Sequence, residues 1–94
     1  MIDCPDYIFE ARVVQWADVG PDVRPTGNTK HFGENGLTGP AAGVAICVAT
    51  DNKSFYLFSC DSSWECIALT RHATVDEARR QAEFEYEGLS WQIK

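Results

Sequence analysis

The sequence predicts an α+β fold, in which a mainly antiparallel sheet of about five strands carries one helix from the C-terminal half across one face. Two observations carry this prediction. Three short apolar segments follow one another between residues 43 and 70, joined by connections rich in Asp, Asn and Ser. An amphipathic segment with a helix-capping pattern comes directly after them. The whole chain, residues 1–94, is predicted to form a single domain.

The first segment, residues 7–19, is rich in β-branched and aromatic residues and is followed by Gly-Pro, which is typical of a strand. A helix is the alternative, because Pro5 suits a first helical turn and Phe9, Val13 and Trp16 would share one face. Residues 20–43 hold six of the seven glycines and three of the four prolines. They predict a long loop, which could bind a ligand, cover the sheet or be disordered.

The three central segments, residues 43–50, 54–60 and 65–70, predict a meander of antiparallel strands. Both faces of these strands are apolar, whereas one helix can cover only one face. We expect the other face to be covered by the long loop, in which Leu37 and residues 39–43 are suited to it, or by another chain.

Thr74 and Glu77 have the spacing of a capping box, which predicts that a helix begins there. Gly88 predicts where the helix ends. The residues expected on its buried stripe recur at helical spacing: Val75, Ala78, Ala82, Tyr86 and Leu89. The alternation after the helix predicts a last strand over 89–93, with Leu89, Trp91 and Ile93 on its buried face.

The composition and charge of the chain narrow the range of functions that it can have. Hydrophobic residues make up 45% of the chain, and the net charge is −6, which argues against a nucleic-acid partner. The N-terminus lacks the pattern of a signal peptide, and no apolar run approaches the about 18 residues of a membrane span. We therefore expect a cytoplasmic protein that binds no membrane and keeps its cysteines as thiols.

Residues 55–66, FYLFSCDSSWEC, hold four aromatic rings and two of the four cysteines. The spacing of Cys60 and Cys66 does not match that of zinc ribbons and fingers, so the stretch predicts a hairpin without a metal or other cofactor. An even-numbered loop would point the two cysteines to opposite faces. Only a three-residue or a bulged connection would set them opposite each other, within disulfide range.

None of the common catalytic sequence motifs is present, so no enzyme is predicted. A polar cluster in the loop gives an alternative hypothesis, a small-molecule site for an anionic ligand, with binding or catalytic function. Its residues would be Arg24, Asn28, Lys30 and His31.

Phe84 falls on the side of the helix opposite the buried stripe, among charged residues. An aromatic ring in such a place can anchor an interface. The leading hypothesis is therefore a protein-binding module that meets a basic protein partner through Phe84, Glu77, Arg80 and Glu87. A structural homodimer is a further alternative.

Several residues in the C-terminal part of the sequence match a pattern found in other proteins. The matching residues are Cys60, Asp61, Trp64, Glu77, Ala78, residues 81–88 and Trp91. Over this part the chain resembles small uncharacterised bacterial proteins of the kind found near polymorphic toxin genes. The resemblance implies an immunity-type inhibitor and no catalytic residues.

Overall fold

The computed structural model describes residues 3–20, 23–26, 32–33, 36–37 and 41–94. In chain order the elements are β1 (Tyr7–Ile8), β2 (Ala11–Asp18), β3 (Arg24–Pro25), β4 (Phe32–Gly33), β5 (Gly36–Leu37), β6 (Gly43–Val48), β7 (Phe55–Cys60), β8 (Cys66–His72), α1 (Val75–Glu85), β9 (Tyr86–Glu87) and β10 (Gln92–Ile93). The main sheet is antiparallel in the order β1-β2-β6-β7-β8, and β10 also pairs with β2. The predicted α+β fold is confirmed.

The N-terminal segment forms a hairpin, so its interpretation as a helix is wrong. Residues Phe9 and Glu10 connect β1 to β2, and both have positive φ, 48° and 65°. Two-residue hairpin turns with positive φ at both central positions match the twist of the flanking strands, but they usually contain Asn or Gly. The predicted single strand is therefore broken at a turn that its sequence does not signal.

The predicted meander is confirmed as β6, β7 and β8. Asp61 caps the connection between β7 and β8, because its Oδ1 accepts hydrogen bonds from the backbone N–H of Ser63 (2.8 Å) and Glu65 (3.0 Å). An irregularity in the pairing leaves Ile67 as an extra residue and brings Cys60 opposite Cys66. Both cysteines are free thiols. Residues 55–66 are therefore a hairpin with a bulge.

The helix α1 begins as predicted. Thr74 is its N-cap, and the Thr74 hydroxyl accepts a hydrogen bond from the Glu77 N–H at 3.1 Å. The prediction that Gly88 ends the helix is wrong, because the helix ends at Glu85. The backbone of Tyr86 turns extended to pair with Pro25 in β3, and the Tyr86 hydroxyl accepts a hydrogen bond from the Ala41 N–H at 2.9 Å. These contacts with the chain before β6 replace the last helical turn.

The sheet separates two hydrophobic clusters. The cluster on the helix side contains Val44, Ile46 and Leu57 of the sheet, with Ala78 and Ala82 of α1. The predicted buried stripe of the helix thus meets the sheet, with Val75, Tyr86 and Leu89 in the same cluster.

On the opposite face, which we call the outer face, the N-terminal segment and Trp64 cover the strands. Cys4, Ile8 and Trp64 pack there with residues such as Cys47 and Phe58. The expectation that the loop before β6 covers this face is wrong for Ala41, which packs on the helix side. The backbone of Leu37 is described, in β5, and its side chain lies outside the described part. The outer face is closed by the N-terminal segment and by the turn before β8.

The C-terminal strand is shorter than predicted. Only Gln92 and Ile93 pair with β2. Leu89 and Trp91 pack against the helix-side cluster as expected, but Ile93 is 80% exposed, so its predicted burial is wrong. Within the described residues, no helix has the length and apolar character needed to cross a membrane.

Candidate functional site

The outward side of α1 presents Phe84, whose side chain is 52% exposed. The burial of Ala78 and Ala82 on the other side fixes this orientation, because residues on opposite sides of a helix cannot both face the sheet. Phe84 thus lies where the sequence predicted it, on the side of the helix that faces away from the core.

An open hollow of about 400 Å³ lies beside the Phe84 ring. It is lined by His72, Glu77, Arg80, Gln81 and Phe84. The structure therefore brings together three of the four residues predicted for partner binding. It adds His72, which the sequence did not suggest because His72 belongs to the end of β8 and reaches this place only through the packing of strand and helix.

The fourth predicted residue, Glu87, lies beyond the helix end in β9, where it is the strand partner of Arg24. Glu87 is exposed but does not line the hollow. Of the alternative ligand site, only Arg24 is described, as an exposed residue of β3. Asn28, Lys30 and His31 lie outside the described residues.

The exposed charges on and just after α1 are mainly acidic. They are Asp76, Glu77, Arg80, Glu83 and Glu87. Glu85 does not join them, because its side chain is 5% exposed and accepts a hydrogen bond from Gln81. Arg79 also turns away, and its guanidinium lies 5.7 Å from the centre of the Trp91 ring. One exposed cation therefore remains among four exposed carboxylates.

Two hydrogen bonds hold the end of the hollow nearest to the start of the helix. The Glu77 carboxylate accepts a hydrogen bond from the Ala73 N–H at 3.0 Å, which ties it to the helix cap. His72 Nε2 lies 2.7 Å from the Thr70 hydroxyl. These contacts restrict the positions of the Glu77 and His72 side chains.

A second apolar surface lies on the outer face of the sheet, for which the sequence predicted a cover by the loop or by another chain. It consists of the exposed Phe9 and Leu69 and the half-buried Tyr56, packed around the buried Phe58 ring, and we call it the outer patch. Phe9 is 70% exposed and Leu69 is 52% exposed. The Phe58 ring packs edge-on against Phe9 (5.9 Å between centroids) and Tyr56 (5.6 Å), and Leu69 is its partner across the strands. Tyr56 and Phe58 are alternate residues of β7 and therefore share a face, and the hairpin turn brings Phe9 to them.

The four cysteines all belong to the outer-face cluster or pack against it. Burial raises the pKa of the Cys47 and Cys60 thiols to about 12 and that of Cys4 to about 11. These groups stay protonated at neutral pH and act as small apolar side chains. Within the described ranges, no three His, Cys, Asp or Glu side chains are arranged to hold a metal ion.

Comparison of the chain with protein-family models, curated proteins and solved structures gave no match.

Proposed function

We propose that this protein is a non-enzymatic protein-binding module that blocks a basic partner protein, as an immunity-type inhibitor does. The observation that carries the proposal is the half-exposed Phe84 ring beside an open hollow, among mainly acidic exposed side chains. Aromatic residues are favoured at the centre of interfaces, because a ring buries a large area at a small cost in side-chain entropy.

The charges around the ring support a basic partner. Four exposed carboxylates on and after α1 and a net charge of −6 create a negative field on the approach to the hollow. Charges at the rim of an interface act mainly on the association rate and are screened by salt. The proposed complex therefore forms fast at low ionic strength and weakens as salt is added.

Affinity capture from a lysate of the source organism, at low and at high salt, tests this function. Three forms of the protein serve as bait: the unmodified chain, Phe84→Ala and Ile93→Ala. Ile93 is a matched control, since it is an exposed apolar residue on β10, at the opposite edge of the sheet from β8.

We expect one basic protein, captured in stoichiometric amount and identified by mass spectrometry, to leave at high salt. Phe84→Ala should weaken its binding by about tenfold or more, the effect of an interface anchor, while Ile93→Ala should not. Capture of nothing at either salt concentration, or equal capture by the two variants, would refute the proposal.

A further inference from the structure

The strand β8 forms an edge of the main sheet. Its inner side pairs with β7 from Cys66 to His72, and no strand within the described residues pairs with its outer side. An edge strand presents backbone N–H and C=O groups that can form a ladder with another extended chain. Their natural partner is the backbone of a strand.

The opposite edge of the sheet is paired with other strands. There β2 is covered by two short strands, β1 near its beginning and β10 near its end. On β8 the bulge at Ile67 disturbs only the first part of the strand, and the pairing from Ala68 to His72 is regular. This regular part is long enough for a short extended segment to pair with.

Proteins often protect an edge with a charged side chain, and Arg71 is the one residue of this kind in β8. Its guanidinium is already engaged, because it lies 2.7 Å from the Asp51 carboxylate, donates to the Ser54 hydroxyl at 2.8 Å and lies over the Tyr56 ring. The charge of Arg71 is thus neutralised on the outer face, which weakens it as a barrier to another strand.

Exposed apolar side chains lie on both sides of this edge, Leu69 on one side and Phe84 on the other. The outer patch lies on the side of Leu69, and the hollow lies on the side of Phe84. A smaller cavity of about 90 Å³ connects the strand to the helix, since residues 68–70 line it together with Gln81 and Glu85. Because side chains alternate along a strand, an added strand would place successive residues against the patch and against the hollow.

We propose that the basic partner binds by adding an extended segment to the outer side of β8. This inference rests on the proposed function and specifies how the same surface recognises its target. The segment carries apolar residues that meet Leu69 and, at the alternate positions, Lys or Arg that approaches Glu77 and the Phe84 ring. Charge argues against a second copy as the occupant, because each copy has a net charge of −6 and a mainly acidic helix surface.

A random peptide library displayed on phage tests this inference without the natural partner. The peptides are about ten residues long, the upper length of ordinary strands. Enriched peptides are synthesised, and their affinities are measured for the unmodified protein, Leu69→Lys, Ile93→Lys and Phe84→Ala. Amide hydrogen exchange is compared with and without peptide. Leu69→Lys places a charge on the edge of β8, and Ile93→Lys makes the same change at the opposite edge.

We expect the enriched peptides to alternate apolar and basic residues and to slow exchange of amides in Ala68–His72. Leu69→Lys should lower the affinity for these peptides by about tenfold or more, while Ile93→Lys should leave the affinity unchanged. A library that yields no binding peptide would overturn the inference. So would peptides that need Phe84 but neither protect β8 nor respond to Leu69→Lys, and in that case the proposed protein-binding function stands.

Self-association is measured in the same experiment by light scattering. A dimer that protects the β8 amides without peptide, and that Leu69→Lys dissociates, would show that a second copy occupies the edge and would overturn the inference. Failure of the proposed function itself is seen separately, as loss of partner capture from the lysate.

Discussion

At the scale of single residues, the exposure of Phe84 predicts that its ring contributes little to stability. Its side chain is 52% exposed, so we expect Phe84→Ala to leave the melting temperature nearly unchanged, within about 4 °C. The same substitution at Phe58, which is 2% exposed, should cost about 3–5 kcal/mol and lower the melting temperature sharply. Thermal unfolding followed by circular dichroism measures both. A large loss of stability in Phe84→Ala would show that the ring belongs to the core.

The turn at Phe9 and Glu10 holds two L-residues in a region of φ that favours glycine. Left-handed backbone costs about 1–2 kcal/mol for a residue with a side chain, and part of this is regained with glycine. We therefore expect Glu10→Gly to raise the free energy of unfolding by about 0.5–1 kcal/mol in urea titrations. Glu10→Ala, which keeps the Cβ, should give no such gain. A destabilised Glu10→Gly variant would mean that the Glu10 side chain contributes contacts that outweigh the strain.

At the scale of the elements, α1 depends on its N-terminal cap. The Thr74 hydroxyl accepts the Glu77 N–H, so Thr74→Ala leaves this donor without its partner. We expect a loss of about 1 kcal/mol in the free energy of unfolding. Thr74→Ser keeps the hydroxyl and serves as the control, with most of the stability retained. Equal stability of both variants would indicate that water satisfies the donor without cost.

The elements that the sequence predicted well are those whose signals are local. The capping box at Thr74 and the short apolar segments that form β6 and β7 depend on residues a few positions apart, and both predictions were correct. The end of α1 was wrong, because Tyr86 pairs with Pro25, about 60 residues earlier in the chain. The bulge at Ile67 is the bulged connection that the sequence left open, but a single extra residue leaves no mark in the pattern that would have favoured it over an even-numbered loop.

The candidate site was predicted in part for the same reason. The helical period placed Phe84 away from the core, beside Glu77 and Arg80, and the structure groups these residues around one hollow. The helical period could not supply His72, because His72 belongs to β8 and reaches the hollow through the packing of β8 against α1. The helical period also placed Glu87 wrongly beside these residues, because the helix has ended there and Glu87 belongs to a strand.

At the scale of the whole molecule, the buried thiols make stability depend on alkaline pH. Their pKa values are raised by burial from 9.0 to about 12 for Cys47 and Cys60, so the folded protein holds protons that the unfolded chain releases. The free energy of unfolding is therefore fully retained below pH 9.0 and falls as the pH rises from there towards 12. Urea unfolding at pH 8 and at pH 10.5 measures this loss.

The variant Cys47→Ala tests the cause of this dependence. It has a lower stability at neutral pH because it leaves a small cavity, but it should lose less stability than the unmodified protein between the two pH values. An unmodified protein whose stability is the same at pH 8 and pH 10.5 would contradict the assignment.

The order of the strands in the main sheet has a consequence for how the chain folds. Strands β6, β7 and β8 and the helix α1 are consecutive in sequence and neighbours in space, so their contacts close short loops. The hairpin of β1 and β2 joins β6 across the long segment between them, and β10 joins β2 from the far end of the chain.

We expect the transition state to contain the meander and the helix, with the N-terminal hairpin docking later. Folding kinetics should then give high φ-values for Ile46→Val and Ala82→Gly and a low one for Val13→Ala. The reverse pattern would place the nucleus at the sheet edge formed by the two ends of the chain.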